Sequence, residues 1–187
     1  VPHIPEKISH QTADEKGTLM FWHPRHERAY RNLLAALARH LEASPHRERI
    51  LGVRLNFNAL GTEHFPSRKD DVSPGRWIAP AGVEPGPAWS PEIGVAYKRA
   101  VVDAFVREFT PALAVFVRNN VDDDVRAAYR REFETGRLCW FHTSTEAEPR
   151  SAGVERQYRT FLEYCRTGKT RGYAERWASA RSEEHTS

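Results

Sequence analysis

The chain has 187 residues, of which 40% are hydrophobic and 28% charged. That is ordinary globular composition, unlike a disordered or collagen-like chain. No apolar run approaches the ~20 residues of a membrane-spanning helix, so no membrane partner is expected. The formal charge is +3, but Arg is interspersed with Asp and Glu, as in Arg25-His26-Glu27-Arg28 and Arg130-Arg131-Glu132. A mixed surface of this kind is solvated; it lacks the one-sided basic face of a nucleic-acid binder, and no nucleic acid is expected.

The cysteines, Cys139 and Cys165, stand too far apart in sequence to read as a disulfide framework or a metal cluster. The chain starts at Val1 without an initiator Met, and residues 181–187 look like a sequencing adapter translated in frame. Residues 1–180 are therefore taken as the folded part, a fragment of a longer protein, and residues 181–187 are set aside.

In chain order, residues 1–24 read as irregular, punctuated by Pro2, Pro5, Gly17 and Pro24. From residue 25 to 43, Tyr30, Leu33, Leu34, Leu37 and Leu41 recur at helical spacing and predict an amphipathic helix with that face in the core. Ser44-Pro45 ends it. Residues 50–57 read as a buried strand, followed by a glycine-bearing turn that reaches Glu63. Residues 64–92 form a long proline-rich loop with Trp77 and Trp89. Structureless loops of that length are uncommon unless they carry function or are disordered, and two tryptophans argue against disorder.

A second helix is predicted over residues 91–109, then an apolar strand over 112–117. Asp122, Asp123 and Asp124 offer caps for a third helix to Thr135, with Gly136 behind it. A strand at 137–141, a helix at about 154–166 and a weak strand at 170–177 follow. Alternating helices and strands imply an α/β fold with a parallel sheet and right-handed crossovers. Neither G-x-G-x-x-G nor a phosphate-binding P-loop is present, so no nucleotide cofactor is expected. A partial (β/α)₈ TIM barrel is favoured over an open sheet. The four strands would be roughly strands 4–7 of a fold that takes about 250 residues when complete.

Barrel active sites lie at the C-terminal ends of the strands. The polar residues just past the expected strands are Asn56, Asn58 and Glu63; Arg118, Asn119 and Asn120; His142 and Thr143; and Glu175 with Trp177. Sugar sites are built from such parts: aromatic faces stack on the ring, amides and guanidinium groups bond hydroxyls, and two carboxylates do the chemistry. The histidines do not spell a metal site, because His23-Pro24-Arg25-His26 lacks the helical H-E-x-x-H arrangement. No metal is expected, and no G-x-S-x-G elbow is present for a serine nucleophile.

Phe21-Trp22-His23-Pro24, the helix bearing residues 30–41, the strand at 50–57 and Gly61-Thr62-Glu63 together resemble the retaining (β/α)₈-barrel glycoside hydrolases, the β-galactosidase-like and agarase-like barrels. The resemblance implies an acid/base glutamate at Glu63 and a nucleophile at Glu175, in Gly172-Tyr173-Ala174-Glu175. It implies a carbohydrate substrate contacted by Asn56, Asn58, Trp77, Trp89, Arg118, Asn119, His142 and Trp177. Thr62 stands where that clan commonly has Asn, which leaves open a related carbohydrate-binding or scaffolding barrel without turnover. An unrelated open-sheet α/β enzyme is the other alternative.

Overall fold

A computed structural model describes residues 1–4, 13–14, 17–56, 77–109, 112–118, 123–143, 152–167 and 172–175. The chain divides into two compact units, residues 1–115 and 116–187.

The first unit opens with three short strands, β1 (His3–Ile4), β2 (Ala13–Asp14) and β3 (Gly17–Leu19). They form an antiparallel sheet in the order β1-β3-β2. This corrects the expectation of irregular structure before residue 25. Strands of two or three residues are too short to show a period of two, and here the proline punctuation masked them. An isolated bridge pairs His3 with Ile78, through bonds from His3 N to Ile78 O (3.0 Å) and Ile78 N to His3 O (2.7 Å).

Helix α1 spans Pro24–Glu42. His23 caps it in an extended conformation, its side chain accepting from the Arg25 backbone N–H, and Pro24 takes the first helical position, where no N–H is needed. Its apolar face is only partly used. Tyr30 and Leu34 are buried together with His26, whereas Leu33 (53% exposed) and Leu37 (39%) face solvent. Periodicity marked these leucines as one stripe but could not say how wide a partner would cover it.

A 3-10 turn at Arg47–Arg49 leads to β4 (Gly52–Arg54), far shorter than the expected strand at 50–57. Leu55, just beyond it, is nonetheless fully buried. Residues 77–90 carry no helix and run into α2 (Pro91–Phe109), which starts and ends as its pattern predicts. The buried face of α2 carries Tyr97, Val101, Val102, Phe105 and Phe109. Beyond it, β5 (Ala114–Arg118) begins with a bond from Ala114 N to Leu51 O, and the Arg47 guanidinium donates to the Ala112 carbonyl.

The unit boundary falls inside β5. In the second unit the predicted third helix is two pieces, α3 (Asp123–Ala128) and α4 (Arg130–Glu134), separated at Tyr129. Gly136 follows with φ +74°. Its N–H bonds Phe133 O at 3.1 Å and the Arg137 N–H bonds Glu132 O at 2.9 Å, a Schellman closure that requires the left-handed residue the sequence supplies. Strand β6 (Leu138–Thr143), helix α5 (Ala152–Thr167) and strand β7 (Gly172–Glu175) complete the unit.

Strands β6 and β7 of the second unit lie side by side and parallel. The fold is thus mixed α/β, as expected. Val115, Phe116 and Val117 on β5 are buried in succession, as are Leu138, Cys139, Trp140 and Phe141 on β6. Consecutive residues point to opposite faces, so these strands are covered on both sides, the usual state of parallel strands.

Candidate functional site

In the first unit, the start of α1 and the loop 77–90 bring a group of aromatics together. Trp22 stands edge-on to Phe21 (centroids 4.9 Å apart), Trp77 (5.0 Å) and Trp89 (4.9 Å), and Phe21 also contacts Tyr97 at 5.1 Å. T-shaped pairs of this kind set a positive ring edge on a negative face. Trp22 Nε1 further donates to the Pro87 carbonyl at 2.9 Å.

Two of the expected sugar platforms lie in this group. Trp77 is 7% exposed and its Nε1 has no hydrogen-bond partner. A sugar needs an open ring face, and Trp77 does not present one in this conformation; its ring packs the loop onto Trp22. Trp89 is half-buried, its ring meeting Phe21 and Trp22 near the start of α2.

Asn56 lies two residues beyond the end of β4. Its backbone carbonyl accepts from the Tyr30 hydroxyl at 2.7 Å, while its side-chain Oδ1 is buried without a partner. The Tyr30 bond ties the second turn of α1 to the C-terminal end of β4, the end at which an α/β fold carries its chemistry.

His26 is buried one turn before Tyr30, with its Nδ1 unpartnered. Burial is the main influence depressing its basicity, a backbone hydrogen bond at Phe21 opposes this, and the Val1 amine and His23 add to it. Burial likewise pushes the Tyr30 and Tyr97 hydroxyls well above their ordinary range, so both stay protonated. His23 and His26 were not singled out as functional positions by sequence reading. The available signal was spacing: His26 sits four residues before Tyr30, on the same helix face.

In the second unit, the parallel register of β6 and β7 pairs His142 with Ala174 and Thr143 with Glu175. Thr143 and Glu175 are the last residues of their strands, so both stand at the same C-terminal edge. Arg118 is the last residue of β5. Glu63, Asn58, Asn119 and Trp177 lie outside the described residues. Among the described residues no group of three His, Cys, Asp or Glu side chains could hold a metal ion, and no helix is long and apolar enough to cross a membrane.

Comparison of the chain with models of known families, with curated proteins and with solved structures gives no match.

Proposed function

We propose that the chain is part of a glycoside hydrolase of the (β/α)₈-barrel type, acting on a carbohydrate with two carboxylates. The observation that carries this reading is the position of Glu175, which closes β7 beside Thr143 at the end of β6. Asn56 after β4 and Arg118 at the end of β5 add polar groups at the corresponding ends of their own strands. In this proposal Glu63 protonates the leaving oxygen. Glu175 attacks the anomeric carbon, and water then releases the sugar from the glycosyl-enzyme with net retention. Trp89, rather than the buried Trp77, is the aromatic that offers ring surface to a sugar.

The test uses a chain long enough to close eight strands, assayed on an unactivated oligosaccharide and on an activated aryl glycoside. Loss of a general acid typically costs 10²–10⁴-fold. Glu63→Gln should therefore lose that much on the oligosaccharide and little on the aryl glycoside, which needs less protonation. Glu175→Gln should lose both activities. Full activity of Glu63→Gln on the oligosaccharide would sink the assignment, and binding of sugar with no turnover by any form would mark a carbohydrate-binding barrel instead.

A second reading, an open-sheet α/β enzyme unrelated to the glycosidases, is favoured by one observation. Both faces of β5 and β6 are covered, whereas a four-strand piece of a barrel leaves its inner face bare. The order of all strands in the longer chain separates the two readings.

A further inference from the structure

Residues 82–87 are held on the start of α1 by their own carbonyls. Trp22 Nε1 donates to Pro87 O at 2.9 Å, His23 Nε2 bonds Glu84 O at 3.0 Å, and the Arg25 guanidinium reaches Gly82 O at 3.4 Å. The segment lies close. Gly86 has φ +79°, and a Cβ placed on it would come within 2.5 Å of His23 Cδ2 and 2.9 Å of Met20 Sδ. Glycine is required here for both the backbone conformation and the approach.

The two bonds of His23 define its protonation state. Nδ1 accepts from the Arg25 backbone N–H at 3.1 Å, so it carries no proton. The Glu84 carbonyl has none to give, so Nε2 must be the donor. The neutral imidazole with its proton on Nε2 makes both bonds; the imidazolium would set a second donor against the Arg25 N–H. It would also place a charge on a side chain that is 3% exposed. The charged and titratable groups nearby among the described residues are Arg25, His26 and Glu27 on α1, the Val1 amine beside His26, and Glu84 on the strap itself.

We propose that His23 is an acid-released latch: neutral, it holds the strap of residues 82–87 against the start of α1, and protonated, it lets the strap go. One proton is taken from solvent at Nδ1. The ring must then leave its pocket to be hydrated, which breaks the Arg25 cap and the Glu84 bond together. Trp89 stands two residues beyond the strap and rests edge-on against Phe21 and Trp22, so release also frees the position of that indole. The latch does not depend on what the protein binds.

The test is a pH titration of the isotopically labelled full chain by NMR, from about pH 8 to about pH 4.5. The readouts are the His23 ring nitrogen shifts and solvent-exchange protection of the Trp22 indole N–H. The expected result is the Nε2–H tautomer at pH 8. Protection of the Trp22 indole should then fall at least tenfold as His23 titrates, while the amides of α2 stay protected. His23→Gln, whose amide can still reach Glu84, should hold the strap closed at every pH. His23→Asn, which keeps the cap but falls short of Glu84, should leave it open at every pH. Imidazolium at His23 with the Trp22 indole still protected would overturn the latch. So would a transition that survives in His23→Gln, one that vanishes in His26→Leu, or loss of α2 protection in step with Trp22. If neither His23 variant folds, the wild-type nitrogen shifts still decide.

Discussion

The Tyr30 hydroxyl donates to the backbone carbonyl of Asn56 across 2.7 Å, from the second turn of α1 to the residues that follow β4. The bond is part-buried, and a buried carbonyl stripped of its donor costs about 1–3 kcal/mol. Tyr30→Phe should lower stability by that order. In urea the unfolding midpoint should fall with an unchanged slope, because the surface exposed on unfolding is the same. An unchanged midpoint would show that Asn56 finds another donor.

Gly82 and Gly86 give a matched pair of tests on one strap. Both have positive φ, +71° and +79°. A Cβ on Gly82 meets nothing within 4 Å, whereas one on Gly86 collides with His23 and Met20. Gly82→Ala should cost about 1–2 kcal/mol, the strain of a left-handed non-glycine residue. Gly86→Ala should cost clearly more and should also expose the Trp22 indole, as read by its fluorescence. Equal losses for the two variants would mean that the approach of the strap to His23 is looser than described.

Gly172 opens β7 against α5. A Cβ there would collide with Cys165 Sγ and lie 2.8 Å from Phe161 Cζ. Gly172→Ala should destabilise the second unit by about 1–3 kcal/mol, the usual cost of overpacking. Cys165→Ala should recover part of that loss, giving a coupling of at least about 0.5 kcal/mol in a double-mutant cycle. Strict additivity would place the strain on Phe161 alone.

Stability should fall with acidification through His26. Its folded-state basicity lies below the ordinary value of 6.5, chiefly because it is buried. Below pH 6.5 the unfolded chain therefore binds a proton that the folded chain resists. Stability is whole above that pH and is lost as pH drops towards the folded value, by at most about 1.4 kcal/mol per pH unit for one proton. His26→Leu should flatten the slope of unfolding free energy between pH 6.5 and 5 by up to one proton. A slope unchanged in that variant would assign the acid sensitivity to other groups.

Much of the element order was legible because it follows from local rules. Pro91 and the apolar positions Val101, Ala104 and Phe105 mark α2 at its true ends, and Gly136 marks the stop of α4 because only a left-handed residue closes that helix. The unbroken apolar run from Leu138 to Phe141 marks a strand covered on both faces. Glu175 was read as a carboxylate near the end of a strand expected over residues 170–177, whereas β7 runs only from Gly172 to Glu175.

Contacts between distant segments were decided by tertiary structure alone. Nothing near Trp77 in sequence says that its indole packs against Trp22, and the same residue type could equally have lain open as a platform. Leu33 and Leu34 are neighbours of one type on one helix, yet the first is exposed and the second buried, because burial depends on where a partner stops. The short strands β1–β3 form through pairing with one another, which no period of two residues can announce. His23 stood in a stretch read as irregular, and its role as the cap before Pro24 came only with the structure. That its far nitrogen would meet Glu84, 61 residues on, was decided by the path of the loop. Hydrogen bonds are short-ranged in space and indifferent to separation along the chain, so local pattern determines the elements and packing determines which of their side chains meet.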